Sequence, residues 1–186
     1  MRRTRDSVDP VLLLIGLNVL MYVLTLVRPD LMFTLGLKKE LLPSEPWTAL
    51  TSMFVHANLY HILANMITLY FFGNMLRQIV SEKSFYLIYF VGGLTGSLFF
   101  WLLAPAGSIG VGASGAIFGL AGTLAVLRPN VRVIAFPLPV PVPLWGAVIG
   151  SFVILSFIAG VAWQAHLGGL LVGLVTGYAY KSGRRF

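Results

Sequence analysis

The sequence contains no cysteine and very little charge. Without cysteine, disulfides and thiol chemistry are excluded. Charged residues make up 10% of the chain and apolar residues 58%. A water-soluble domain of 186 residues needs far more charge to cover its surface. Together with a mean hydropathy of +0.87, the composition excludes a soluble domain and predicts an integral membrane protein.

Acidic residues are especially scarce. All six lie outside the long apolar runs: Asp6, Asp9, Asp30, Glu40, Glu45 and Glu82. Carriers coupled to protons or cations use carboxylates within the membrane, so this absence argues against such a carrier. The formal net charge of +7 is expected to lie beside membrane segments and anionic lipids, and nucleic acid is not an expected partner.

Six apolar segments fill most of the chain, and charge, glycine or proline separates them. We expect an all-α, polytopic membrane protein in which residues 1–186 form one six-helix domain, with no room for a separate soluble domain. The predicted spans cover residues 11–27, 57–76, 84–103, 113–127, 144–161 and 165–180.

The basic residues predict the orientation of these segments. Ten of the thirteen Lys and Arg residues precede segment one, separate segments two and three, follow segment four or follow segment six. The other three are Arg28, Lys38 and Lys39. Because basic residues collect on the cytoplasmic side, we expect a multi-pass protein of the cell membrane with both termini in the cytoplasm.

Four polar residues fall at one depth in this arrangement. Segments two, four and six run inward and begin with His61 and Asn65, Ser114, and His166. The rise along the helix to the basic residue at the inner end is about 21 Å from Ser114 and about 22 Å from His166. In a core about 30 Å thick, both residues then lie roughly 8–9 Å below the outer surface. Ionisable groups at that depth are costly, which indicates a functional site.

These residue types are the ones that nucleophilic catalysis requires. A serine hydroxyl becomes a good nucleophile when a base takes its proton, and neutral imidazole suits that task near pH 7. The oxyanion that develops needs fixed donors, which His61, Asn65 and the Ser114 N–H are able to supply. Since no segment contains a carboxylate to orient His166, a Ser-His dyad is expected in place of a Ser-His-Asp triad.

The same residues resemble the motifs of the rhomboid intramembrane serine proteases. The matching motifs are His56-x4-His61-x3-Asn65, Gly112-Ala113-Ser114-Gly115 and Ala165-His166-Leu167-Gly168-Gly169. The resemblance covers nearly the whole chain and implies a six-helix bundle that cleaves membrane-spanning helices near the outer face. It implies that Ser114 is the nucleophile and His166 the general base. His61, Asn65 and the Ser114 N–H would form the oxyanion hole.

Other residues are expected to support this site. His56 is predicted to lie at the interface and to organise the long first loop, residues 28–56. Gly115 and Gly169 each begin a series of glycines at helical spacing that favours close contact between helices. Phe118 stands where bacterial relatives carry tyrosine, and its ring is expected to pack against His166.

Three alternatives to a protease stay open at this point. A catalytically silent rhomboid-like protein would bind and route membrane proteins, although such members usually lack the serine or the histidine. A b-type haem protein would use His61 and His166 as axial ligands and would show a Soret band. A transporter would use broken helices. The protease needs neither metal nor cofactor, and its partners would be substrate transmembrane helices within the lipid bilayer.

Overall fold

Each apolar segment of the sequence forms an α-helix in the computed structural model, which describes residues 8–134 and 140–183. These residues contain eight α-helices: α1 (Pro10–Val27), α2 (Asp30–Leu35), α3 (Thr48–Thr51), α4 (Leu59–Arg77), α5 (Glu82–Leu103), α6 (Ser114–Leu127), α7 (Leu144–Ser156) and α8 (Trp163–Lys181). A 3-10 turn spans Ser52–Phe54, and the strands are β1 (Leu37–Lys38), β2 (Ile109–Gly110), β3 (Arg132–Val133) and β4 (Val142–Pro143). The chain is therefore mostly helical.

The predicted segment boundaries lie within two residues of the helix ends except at the end of α7. The fifth segment was expected to reach residue 161, but α7 ends at Ser156. The N–H groups of Phe157 and Ile158 donate to carbonyls three residues back, at 3.2 Å. This tighter pattern closes the last turn, and the chain then turns into α8.

Length and composition single out two helices of the described residues as able to cross a membrane by themselves: α1 and α5. The apolar helices α6 and α7 have 14 and 13 residues and would each span about 20 Å. Helices α4 and α8 are long enough, with 19 residues each. Their hydropathy is lower because they carry polar side chains such as Asn65 and His166.

Helix α6 lies at the centre of the bundle. Every residue from Gly115 to Ala125 is buried, and α4, α5, α7 and α8 all pack against it. A helix that is apolar on all sides is stable only when other helices surround it. Its closest neighbour is α8, where a Cβ added to Gly169 would lie 1.9 Å from the carbonyl oxygen of Gly115. The small residues therefore hold α6 and α8 in backbone contact.

The first loop lies across the connection between α5 and α6. Strand β1 in this loop pairs antiparallel with β2, so that Leu37 faces Gly110 and Lys38 faces Ile109. Leu37 is buried against Phe100 and Ala104. The first loop thus packs against the segment that leads into α6.

Asp9 joins the start of α1 to the end of α4. Its carboxylate accepts from the N–H groups of Val11 and Leu12 and forms an ion pair with Arg77. Partial burial raises the pKa of Asp9, but the bonds from Leu12, Val11 and Arg77 outweigh it and hold the pKa below its ordinary value. A lowered pKa means that this contribution to stability is present above the ordinary pKa and is lost as the pH falls through the folded value.

We expect Asp9→Ala to lower the free energy of unfolding by about 1–2 kcal/mol, because a helix cap and its ion pair are lost together. Asp9→Asn keeps the cap and should lose less. The measurement is thermal unfolding in detergent at pH 7 and in acid. The difference between the parent and Asp9→Ala should shrink in acid; an equal difference at both pH values would contradict the role of the ionised carboxylate.

Candidate active site

Ser114 is the first residue of α6, directly after a turn at Gly112. Gly112 has φ +117°, a backbone conformation that side chains disfavour. Ser114 is half-buried, so its hydroxyl lies at the edge of the bundle. The N–H groups of the first helical turn have no carbonyl one turn back, which leaves the Ser114 N–H available to an anion at the positive end of the helix.

His166 lies in the first turn of α8 and faces Ser114. Its Nε2 lies 2.8 Å from the Ser114 Oγ, within hydrogen-bond distance. Close contact between α6 and α8 brings the two side chains together although they are 52 positions apart. Phe118 stacks on the imidazole with ring centroids 4.6 Å apart and planes 28° from parallel. One ring face of His166 therefore rests on an apolar surface.

The other ring nitrogen of His166 has no partner among the described residues. Nδ1 is buried and neither donates nor accepts a hydrogen bond there. For Nε2 to accept the proton of the Ser114 hydroxyl, Nδ1 must carry the ring proton. The imidazole is thus held by burial, with 4% of the residue exposed, and by Phe118 in place of an acidic residue.

His61 and Asn65 lie in the first two turns of α4. The His61 ring lies against Gly112, where an added Cβ would stand 2.7 Å from Cε1 and Nε2. Asn65 is buried, and its side-chain nitrogen donates to the His61 carbonyl oxygen at 2.8 Å. One of its two amide protons is thus used within α4, and the second is available to another acceptor. His61 lies beside the turn that precedes Ser114, with Asn65 one turn further along α4.

His56 is buried beneath His61, with 2% of the residue exposed, and does not lie at the surface of the protein. The two rings meet edge to face with centroids 5.0 Å apart. Its Nδ1 lies 3.3 Å from the Phe54 carbonyl oxygen. Burial, with a smaller effect of His61, lowers the pKa of His56 to about 4, so it is neutral at pH 7. His56 thus supports the His61 ring through this edge-to-face contact.

The comparisons with known proteins identify the family of this chain. The family model described as "Rhomboid domain" matches residues 43–183, a range that includes Ser114, His166, His61, Asn65 and His56. The chain belongs to the rhomboid family. The family is generally one of intramembrane serine proteases, and membership implies a membrane-embedded protein with a protease or another rhomboid-like function.

Similar proteins come from yeast, a plant and a bacterium, and the yeast and plant ones are named as rhomboid proteins. Rhomboid protein 1, mitochondrial, of Saccharomyces cerevisiae is 32% identical over 146 residues, which cover 68% of this chain and 40% of that protein. RHOMBOID-like protein 1 of Arabidopsis thaliana is 36% identical over 137 residues, which cover 73% of this chain and 35% of that protein. An uncharacterized Mycobacterium tuberculosis protein is 31% identical over 147 residues, which cover 75% of this chain and 61% of that protein. The matches thus span less than half of the yeast and plant relatives.

A small cavity of about 30 Å³ opens beside the serine of this rhomboid. Ser52, Ser97, Gly112, Ser114 and Ala165 contribute to its lining. The volume is enough for one water molecule, and the hydroxyls provide polar partners for it. The cavity thus leaves room for a water molecule beside Ser114.

Sequence reasoning missed the contribution of the first loop. The Ser52 carbonyl oxygen accepts from the Gly112 N–H at 2.9 Å, and Leu37 pairs with Gly110. These contacts hold the turn before Ser114. They join residues far apart in the sequence through backbone atoms, so side-chain identity gives no signal of them; the apolar content of residues 28–56 was the one indication that this loop is packed.

Proposed function

We propose that this rhomboid is an intramembrane serine endopeptidase with Ser114 as nucleophile and His166 as general base. The observation that carries the proposal is the 2.8 Å contact between the Ser114 Oγ and the His166 Nε2. Nucleophilic catalysis by serine requires a base at this distance. No carboxylate orients the imidazole within residues 8–134 and 140–183, where Phe118 stacks on it instead.

Hydrolysis would proceed in two halves. The Ser114 Oγ attacks the peptide carbonyl carbon while its proton passes to the His166 Nε2, and the carbonyl oxygen becomes an oxyanion. The intermediate collapses when His166 returns the proton to the amine, which leaves as the carbon–nitrogen bond breaks. Water then attacks the acyl-serine, His166 takes its proton, and Ser114 is regenerated.

The oxyanion would be bound between α4 and α6. The Ser114 N–H stands at the positive end of α6, and the ring of His61 lies beside the turn at Gly112. The second amide proton of Asn65 is not used within α4 and would be available to the oxyanion. Donors fixed before reaction stabilise the developing charge without reorganisation.

Removing one of these donors should slow the reaction without unfolding the protein. We expect His61→Ala and Asn65→Ala each to lower kcat by about 10²–10³-fold, with KM nearly unchanged, because the bond strengthens in the transition state. Ala64→Ser, on the exposed side of α4, is a matched control that should keep the parent kcat. A kcat within twofold of the parent in both donor variants would show that neither His61 nor Asn65 belongs to the oxyanion hole.

The proposed topology has six membrane spans, α1 and α4 to α8, in one domain of residues 1–186. Helices α4, α6 and α8 end at or beside Arg77, Arg128 and Lys181, which supports a cytoplasmic position for these ends. Both termini would be cytoplasmic, in the cell membrane. The terminal arginines behind this orientation (Arg2, Arg3, Arg5, Arg184 and Arg185) lie outside the described residues.

The proposed substrate is a transmembrane helix of another protein. Its peptide bonds are shielded by helical hydrogen bonds, so the helix must unwind locally before its carbonyl reaches Ser114. Small or helix-destabilising residues near the outer face should favour cleavage, because unwinding costs least there.

The test is cleavage in liposomes. The full chain is reconstituted with a synthetic single-span peptide of about 20 apolar residues that carries a Gly-Ala pair near its outer end, and products are mapped by mass spectrometry. We expect one cut near the pair with the parent and none with Ser114→Ala. Intact peptide that nevertheless crosslinks to the folded parent would contradict the protease and favour a silent binding protein.

A further inference from the structure

The segment between α5 and α6, residues 104–112, leads directly into Ser114 and is held from one side by the first loop. Strand β2 within it pairs with β1, and the Gly112 N–H donates to the Ser52 carbonyl oxygen. The Ser97 Oγ donates to the Ala49 carbonyl oxygen at 2.7 Å, which ties α5 to the same loop. The turn at Gly112 thus depends on contacts with residues 36–52.

Two adjacent charged side chains of the first loop bind this segment directly. The Lys39 ammonium donates to the carbonyl oxygen of Ala104, at the end of α5. A positive charge there is favourable because the last carbonyls of a helix carry partial negative charge. The Glu40 Oε1 accepts from the Gly107 N–H at 2.7 Å. Lys39 is half-buried and Glu40 is exposed.

The neighbouring lysine does not make this contact. Lys38 is the last residue of β1, and Lys39 follows it in the turn that leaves the strand. The Lys38 ammonium lies 3.9 Å from the Glu45 carboxylate, within the first loop. The two lysines therefore have the same charge and adjacent positions, but their side chains bind different parts of the protein.

We propose that Lys39 and Glu40 are positioning residues for the hydrolysis. They fix the start and the middle of residues 104–112, which holds the turn at Gly112 against His61 and keeps the Ser114 N–H and His61 aimed at one oxyanion. This inference rests on the proposed protease function. It adds two charged residues of the first loop, far from the reacting atoms, to those on which the rate depends.

The expected effect is on kcat. A shift of about 1 Å in catalytic geometry costs up to about 10²-fold in rate, so we expect Lys39→Met and Glu40→Ala each to lower kcat by about 10-fold, with KM within twofold. Lys39→Arg keeps a cationic donor and Glu40→Gln keeps an acceptor oxygen, so both should retain most of the parent kcat. The rate of labelling of Ser114 by a fluorophosphonate should fall in parallel with kcat.

The experiment compares these variants with the parent and with Lys38→Met, using the single-span peptide in liposomes. All are measured at a temperature at which thermal unfolding shows each variant to be folded. Lys38→Met should match the parent; if it loses as much kcat as Lys39→Met, the effect is one of general charge and the inference is wrong. The inference is also wrong if Glu40→Ala has the same kcat as the parent. It is wrong as well if either substitution lowers the melting temperature without lowering kcat.

The two failures are distinguishable. If the parent cleaves and labels while Lys39→Met and Glu40→Ala do the same at equal rates, the positioning role is wrong and the protease stands. If the folded parent neither cleaves nor labels, the proposed function fails and the inference fails with it.

Discussion

We expect Ser114→Ala and His166→Ala each to lower the rate of peptide cleavage by about 10³-fold or more, with the fold intact. In the proposed mechanism Ser114 provides the attacking oxygen and His166 accepts its proton across the 2.8 Å contact. Because the two act as one unit, the double variant should be no slower than either single variant. The measurement is kcat on the single-span peptide in liposomes, with circular dichroism to establish that each variant is folded.

A matched control comes from another serine of the helical bundle. The Ser156 hydroxyl donates to the carbonyl of Phe152 in its own helix, so Ser156→Ala should keep the parent rate. A folded Ser114→Ala variant that cleaves within tenfold of the parent would contradict the nucleophile. A double variant as slow as the product of the two single effects would show that the residues act independently.

The second large effect is on stability and concerns Gly169. An added methyl group would lie 1.9 Å from the Gly115 carbonyl oxygen and 3.2 Å from its Cα. These are backbone atoms of the central helix and cannot move aside without separating α6 from α8. We expect Gly169→Ala to destabilise the protein by about 3 kcal/mol or more, measured as a large loss of melting temperature in detergent.

Gly146 in α7 provides the control for this substitution. An added Cβ meets no atom within 4 Å there, so Gly146→Ala should be neutral or stabilising by up to about 1 kcal/mol, since alanine favours helix. A partly folded Gly169→Ala should also lose labelling at Ser114, because α8 carries His166. Equal melting temperatures for the two variants would contradict the close packing of α6 on α8.

The helices could be predicted, and Ser114 and His166 could be proposed as partners, because both inferences follow from one-dimensional patterns. Long apolar segments with polar breaks define helices, and the rise per residue places Ser114 and His166 at one depth. The glycine series predicted close contact between helices, and Gly115 and Gly169 make it. The depth of a residue along its helix does not say which way its side chain points. The 2.8 Å contact between the two side chains therefore could not be derived from the sequence.

The first loop and the end of α7 could not be predicted, for different reasons. The pairing of Leu37 with Gly110 uses backbone atoms of residues far apart, and two-residue strands leave no alternating pattern. The burial of His56 beneath His61 depends on how that loop folds back, which the sequence does not show. After Ser156 the sequence stays apolar, so the change in hydrogen bonding at Phe157 and Ile158 has no signal in composition.

The most direct test of the central claim is to locate a fluorophosphonate adduct on the detergent-solubilised protein by mass spectrometry. Activated serines react with such probes and unactivated hydroxyls do not. We expect a single adduct on Ser114 in the parent and no adduct in His166→Ala, which retains the serine but lacks its base. A folded parent without an adduct, or one labelled at a different serine, would contradict the claim that Ser114 and His166 form a catalytic dyad.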